Sequence, residues 1–175
     1  MNINFNQCFE WLLINEGGYV NNPEDTGGET NLGVTKKTYL NYCEKNNITP
    51  KDMYDLTKQD VEPIYRTEYW DAIMGDSLPS GLDWSLFDFA VNSGPARASE
   101  YIQDSVSVKP DGDIGPVTLA AIATHETDTL IKDIYERRQR FYESLSTFKV
   151  FGKGWTKRNK HTEEQALQLA AREQN

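Results

Sequence analysis

The chain has 175 residues, and its 18 Lys and Arg against 27 Asp and Glu give a formal net charge of −9 at pH 7. This length suits one compact domain with a sizeable core, since folding at this size buries roughly 70% of the surface that the unfolded chain exposes. The acidic balance opposes a broad interface with nucleic acid or an anionic membrane, so polyanion binding would need a local basic patch.

The first predicted element is a helix whose apolar stripe ends in a glutamate. Phe5, Phe9, Leu12 and Glu16 follow steps of four, three and four residues, the spacing of one helix face. The Glu16 carboxyl is therefore expected to point inward, and the glycine pair that follows predicts a left-handed exit from the helix. Partial burial and the negative end of the helix dipole both favour the protonated carboxyl that a general acid needs. A solvated glutamate at a fraying helix end is the alternative.

A short polar hairpin is predicted directly after this helix. Residues 19–22 and 30–33 form its strands, and two glycines allow the tight reversal between them. The hairpin would bring Asp25, Thr30 and Asn31 towards the helix end, so that a protonatable Glu faces an ionised Asp and groups that position water. Two such carboxylates are what the cleavage of a glycosidic bond requires. The same residue types are also ordinary turn formers, and this structural interpretation stays open.

The remaining elements are predicted to be helices. Thr35 is expected to cap a helix through about residue 43, and a further helix begins near residue 61 with Pro63 in its first turn. The helix that begins near residue 61 carries Tyr69 and Trp70. Their rings are candidates for the floor of a sugar groove, and packing in the core is the equally open alternative.

A central buried helix is predicted over residues 84–92, because its sequence leaves little polar face. Asp83 is expected to cap it, and Asp88 within it must find buried partners. Pro95 and Pro116 suit the first positions of two later helices. A longer helix follows, and a capping box at residues 162–165 predicts a separate terminal helix.

Many separated motifs, in a fixed order, resemble glycoside hydrolase family 108, a family of lysozyme-like N-acetylmuramidases found as phage endolysins and secretion-associated muramidases. The motifs of its catalytic segment are Glu16-Gly17-Gly18-Tyr19, Asn22-Pro23, Asp25, Gly27-Gly28, Thr30-Asn31, Gly33-Val34-Thr35, Tyr69-Trp70-Asp71 and residues 87–94. Later motifs resemble the predicted peptidoglycan domain that follows in the family: Arg97-Ala98, Ile102-Gln103, Asp111-Gly112, Ile114-Gly115-Pro116, Thr118-Leu119, Arg138, Phe141-Tyr142 and Gly154-Trp155.

The resemblance implies a mainly α, lysozyme-like fold with a short β-hairpin near the active site. It implies a hydrolase that cleaves peptidoglycan between N-acetylmuramic acid and N-acetylglucosamine, with Glu16 as the essential acid. Distant phage-type lysozymes place an Asp nine positions after this Glu, as Asp25 is here. Thr30 is one position short of the Thr of those enzymes, and Asn31 occupies that place, so either is a candidate for orienting water. Glu29 flanks the turn and is expected to be solvated.

The resemblance and the aromatic pattern together predict which residues contact the substrate. These are Tyr19, Asn31, Tyr69, Trp70, Asn92 and Gln103. No cofactor and no metal are expected, because the two histidines lack metal-like spacing and no phosphate or dinucleotide fingerprint occurs. The expected partner is the glycan strand of peptidoglycan, bound by a monomer without nucleic acid and without stable membrane insertion.

The domain organisation is predicted as a catalytic half over residues 1–92, a peptidoglycan-domain-like helical half over 93–160 and a terminal helix over 161–175. Since no flexible linker separates the halves, they are expected to pack into one compact domain. The N-terminus lacks a signal peptide, which predicts synthesis in the cytoplasm and action on the cell wall or periplasm after holin-type release or dedicated export. A non-catalytic wall-binding or secretion-accessory module and a lytic transglycosylase remain the alternative functions.

Overall fold

The structure, a computed structural model, describes residues 4–21 and 28–173. These residues contain eight α-helices and one two-stranded antiparallel sheet, which confirms the mainly α fold with a short hairpin. The helices are α1 Asn4–Asn15, α2 Lys36–Lys45, α3 Lys58–Tyr65, α4 Leu82–Ser93, α5 Pro95–Ser105, α6 Pro116–Ile122, α7 Thr127–Ser144 and α8 Phe148–Glu173. The strands are β1 Thr30–Asn31 and β2 Val34–Thr35. None of the described helices is long and apolar enough to cross a bilayer.

The chain forms two compact units, Asn6–Glu68 and a second that joins the described residues from Tyr69 onward with residues 4 and 5. In the first unit the inward face of α1 is buried through Cys8, Phe9 and Leu12. Cys8 and Cys43, the two cysteines of the chain, are buried free thiols.

The end of α1 differs from the prediction in its backbone. Asn15 is the last residue of α1, and Glu16 follows it with its N–H still donating to Leu12 O at 3.2 Å. The prediction of a left-handed exit was wrong, because neither Gly17 nor Gly18 has a positive φ. Gly28 and Gly33, further along the chain, do have positive φ values, of 68° and 77°.

The hairpin of the first unit has a different register from the predicted one. β1 pairs with β2, with Thr30 opposite Thr35, across a turn whose central residues Leu32 and Gly33 have φ values of 50° and 77°. Positive φ at both positions is typical of the type I′ turns that close two-residue hairpins. The predicted pairing of 19–22 with 30–33 is present as one antiparallel bridge between Val20 and Thr30.

The helices of the first unit follow local signals, with one exception. Thr35 caps α2 as predicted, because its hydroxyl accepts from Thr38 N at 3.2 Å. Pro63 was expected in a first turn, but it lies inside α3, which begins at Lys58 after a capping box formed by Thr57 and Asp60. A π-helical turn, Arg66–Trp70, follows α3.

The second unit is built around α4, whose residues 82–90 are all buried. Helices α5, α7 and α8 pack against it. Asp83 was expected to cap this helix, but α4 begins one residue earlier at Leu82. Within the first turn, Asp83 Oδ1 accepts from Gly81 N at 2.8 Å and from Trp84 N at 2.7 Å.

The buried Asp88 of α4 has the partners that its position demands. Arg138 of α7 donates to it at 2.6 Å, and Arg158 and Thr162 of α8 donate at 2.8 and 3.1 Å. Pro95 begins α5 as predicted. The separate helix predicted from Thr162 was wrong, because α8 runs unbroken from Phe148 and the Thr162 hydroxyl bonds Asp88 instead of capping a helix.

Candidate active site

Glu16 packs directly on the hairpin turn of the first unit. Its side chain is half-buried, and an added Cβ at Gly33 would lie 2.7 Å from Glu16 Oε2 and 2.9 Å from Glu16 Cγ. The same Cβ would also collide with the hydroxyl of Tyr65. Only a glycine at position 33 leaves room for this carboxyl beside the turn. The positive φ of residue 33 is a second, independent reason for glycine there.

Tyr65 fixes the turn on which Glu16 rests. Its hydroxyl donates to Leu32 O at 2.9 Å, and its ring packs on Phe9 of α1 with the centroids 5.4 Å apart. The carboxyl is therefore placed by three elements: the end of α1, the β1–β2 turn and the last residue of α3. The outcome is a half-buried carboxyl that packs against the turn at Gly33.

The two candidates for orienting water, Thr30 and Asn31, occupy different environments. Asn31 is only 5% exposed, and its amide nitrogen donates to Met53 O at 2.7 Å. Successive residues of a strand point to opposite faces, so the half-buried Thr30 faces away from that anchor. Asn31 thus joins the hairpin to the 3₁₀ turn Met53–Asp55, and the Thr30 hydroxyl makes no hydrogen bond to the part of the chain that the structure describes.

Tyr19 is part of a polar cluster beside the hairpin. Its hydroxyl donates to Glu29 at 2.8 Å, Lys36 donates to the other Glu29 oxygen at 2.6 Å, and the Tyr54 ring meets the Tyr19 ring edge-on at 5.3 Å. The bond from Lys36, with that from Tyr19, lowers the pKa of Glu29. Glu29 was expected to be solvated, but it holds Tyr19 in place.

Asp25 lies outside the described residues, and its role stays a prediction.

The aromatic pair at the start of the second unit divides into two roles. Trp70 is fully buried, packs edge-on against Phe5 at 5.3 Å and Phe87 at 5.2 Å, and donates its indole N–H to Asp76 at 3.0 Å. This position favours the core alternative and leaves no ring face for a sugar. Tyr69 is half-buried, and its substrate contact remains a prediction.

Asn92 is exposed at the end of α4, and a hydrogen bond from a buried side chain fixes its orientation. Its Oδ1 accepts from the Tyr142 hydroxyl at 3.0 Å, and that hydroxyl accepts from Arg138 Nε at 2.6 Å. Arg138 is in turn paired with Asp88. The Asn92 amide nitrogen makes no hydrogen bond within the described part of the chain, so this network presents it outward as a donor.

Gln103 is buried, and its amide is fully engaged within the protein. It donates to Asp111 Oδ1 at 2.7 Å and to Asp113 O at 2.9 Å, and it accepts from Gly112 N at 2.9 Å. This side chain shapes the loop before α6. Because these bonds occupy the Gln103 amide, the structure does not support the predicted contact of Gln103 with substrate. Across residues 4–21 and 28–173, no cluster of His, Cys, Asp and Glu could hold a metal ion.

Comparison with known proteins assigns both halves of the chain. Residues 9–94 match Glycosyl hydrolase 108, and residues 97–160 match the Predicted Peptidoglycan domain. The solved structure of SagA from Brucella abortus is 38% identical, with 95% of each chain covered and a TM-score of 0.84. The chain belongs to glycosyl hydrolase family 108. Comparison with curated proteins gives no significant match.

Membership of this family of peptidoglycan hydrolases confirms the resemblance found in the motifs, and with it the lysozyme-like helical fold. Sequence reasoning missed Tyr65 and the steric role of Gly33. The Asn-Leu-Gly-Val stretch was the available signal for a tight turn at Gly33. No sequence signal places Tyr65 there, because it lies 33 residues from the carbonyl that it binds.

Proposed function

We propose that this protein is an N-acetylmuramidase that cleaves peptidoglycan between N-acetylmuramic acid and N-acetylglucosamine, with Glu16 as general acid. The observation that carries the proposal is the packing of Glu16 on Gly33 beside Tyr65, which fixes a half-buried carboxyl at the edge of the hairpin. A general acid must be held where it can reach the leaving oxygen, and a fixed, partly desolvated carboxyl meets that need.

In this mechanism Glu16 donates its proton to the glycosidic oxygen as the bond to the sugar carbon breaks. Asp25 either stabilises the positive charge that develops on the ring or activates the attacking water. Thr30 is the better candidate for orienting that water, because the Asn31 amide is committed to Met53 O. A separation of about 5–5.5 Å between the two carboxyl groups would give retention, and about 6.5–9.5 Å would give inversion.

The residues that contact the substrate are exposed or half-buried, and hydrogen bonds within the protein orient their polar atoms. Tyr19 is held by Glu29, and Asn92 presents its amide donor outward, where acetamido or hydroxyl oxygens of the glycan would bind. The protein acts as a monomer on glycan strands, and it reaches the cell wall or periplasm after holin-type release or dedicated export.

The test is mass spectrometry of the fragments released from purified peptidoglycan. The proposal expects fragments that end in a reducing N-acetylmuramic acid. Reducing N-acetylglucosamine ends would assign the other glycosidic bond, and 1,6-anhydro ends would assign a lytic transglycosylase. Binding to walls without any new ends would assign a non-catalytic wall-binding or secretion-accessory module.

A further inference from the structure

A groove of about 570 Å³ lies between α5 and α7, outside the active-site residues described above. Its volume falls in the range of small-ligand sites, about 300–1,000 Å³. The groove is lined by Tyr101, Asp104, Arg137, Arg140, Phe141 and Ser144. It therefore combines aromatic surface with charged groups of both signs.

The two aromatic side chains of this groove, Tyr101 and Phe141, are held in place by neighbouring residues. Tyr101 meets Phe141 edge-on, with centroids 6.3 Å apart, and also packs at 5.2 Å on the fully buried Phe89. The guanidinium of Arg97 covers Phe141 at 4.3 Å from the ring centroid. Rings fixed in this way bind a ligand with little loss of side-chain entropy.

The two arginines of the groove are engaged to different degrees. Arg137 pairs with Asp133 at 2.7 Å, whereas the exposed Arg140 forms no hydrogen bond within the described residues and acts on the Asp133 carboxylate only through its charge. In a chain of net charge −9, an exposed guanidinium without a hydrogen-bond partner among the described residues, beside a second arginine, is a local departure from the overall charge. Planar guanidinium groups bind carboxylates through paired hydrogen bonds.

We propose that this groove binds the peptide stem of peptidoglycan, an inference that rests on the proposed peptidoglycan substrate. The glycan rings carry no charge for Arg140 to recognise, whereas the stem carries several carboxylates. Asp104, the one acid in the lining, suits the side-chain amino group of a diamino acid in the stem. Phe141 and Tyr101 provide apolar surface for its alkyl segments. The groove thus selects for strands that still carry their peptides.

The test measures equilibrium binding of three probes: the disaccharide N-acetylglucosaminyl-N-acetylmuramic acid with a tetrapeptide stem, the same tetrapeptide alone, and chitotriose. The disaccharide probe lacks the bond that a muramidase cuts, so it stays intact in the wild-type protein. Arg140→Gln should weaken binding of both stem-bearing probes about tenfold and leave chitotriose binding unchanged. Arg172→Gln is the matched control, because it removes an exposed arginine near the end of α8.

Wild-type affinity of Arg140→Gln for the stem-bearing probes would overturn the proposal. Tighter binding of poly(glycerol phosphate) than of the tetrapeptide, lost in Arg140→Gln, would also overturn it and assign the groove to a phosphate polymer. On intact walls the variant should raise KM and keep kcat. Because the two probes that carry the tetrapeptide lack the bond that a muramidase cuts, absence of muramidase products would refute the proposed function and leave the stem-binding result standing.

Discussion

At the scale of single residues, the placement of Glu16 depends on the absence of a side chain at Gly33. Gly33 allows the carboxyl to lie against backbone, and Tyr65 closes the other side of the same small space. The sequence predicted Glu16 as an inward-facing acid from its helical spacing alone. It gave no sign that the acid rests on a turn 17 positions later, since such contacts depend on how the chain folds back.

Gly33→Ala should lower kcat by about two orders of magnitude, because the new Cβ would displace Glu16 and a shift of about 1 Å costs roughly 10²-fold. Gly28→Ala is the matched control. Gly28 also has a positive φ, 68°, but its Cβ would meet nothing within 4 Å. Both variants should carry a similar backbone strain of about 1–2 kcal/mol in the free energy of unfolding. Equal activity in the two variants would contradict the steric account.

Asp25→Asn should cost more activity than Thr30→Val, because a charge near the reacting sugar is worth more than one group that places water. Both variants should melt close to wild type. Asn31→Ala should instead lower the melting temperature, since it removes the bond to Met53 O. Full activity in Asp25→Asn with loss in Thr30→Val would replace the paired-carboxylate mechanism with a single acid and water held by neutral groups.

At the scale of elements, a buried ionic cluster joins three helices. Burial raises the pKa of Asp88, but Arg138 and Arg158 outweigh that effect and lower it to about 2. The folded pKa lies below the unfolded value of about 3.9, so the contribution to stability is complete above about pH 4 and is lost as pH falls towards 2. Thermal unfolding followed between pH 5 and 2 should show this loss.

Asp88→Asn should lower the free energy of unfolding at pH 7 by about 3–5 kcal/mol, because it leaves the fully buried Arg138 and the half-buried Arg158 without their carboxylate. Asp60→Asn provides the control, since Asp60 also has a pKa of about 2 but lies at the surface with Lys51 and caps α3. It should cost only about 1 kcal/mol. Urea unfolding measures both. Similar losses in the two variants would refute the structural role of the buried cluster.

Local signals in the sequence predicted the elements well where neighbouring residues decide them. Thr35 caps α2 through a residue three positions away, and Pro95 begins α5. The failures involve distant partners. Thr162 has the sequence of a helix cap, but its hydroxyl is used by Asp88, 74 residues away. Likewise, Trp70 is a core residue because Phe5 and Phe87 surround it, which no local pattern reveals.

At the scale of the whole molecule, the central helix α4 lies within the family segment 9–94 but packs on helices that follow it. A chain that ends at Ser93 would expose the buried apolar side chains of α4, such as Leu86, Phe87 and Phe89, and we expect it to be unfolded or to aggregate. Size-exclusion chromatography and thermal melting measure this outcome. A soluble, cooperatively melting fragment with muramidase activity would instead make the two halves separable domains.

The most direct test of the account is the rate at which Glu16→Gln releases reducing ends from purified peptidoglycan. We expect a kcat lower by about two to four orders of magnitude, with wild-type melting and wild-type wall binding. Glu10→Gln is the matched control on the same helix, where Glu10 pairs with Lys58, and it should keep the wild-type rate. Release of reducing ends by Glu16→Gln near the wild-type rate would remove Glu16 from the mechanism.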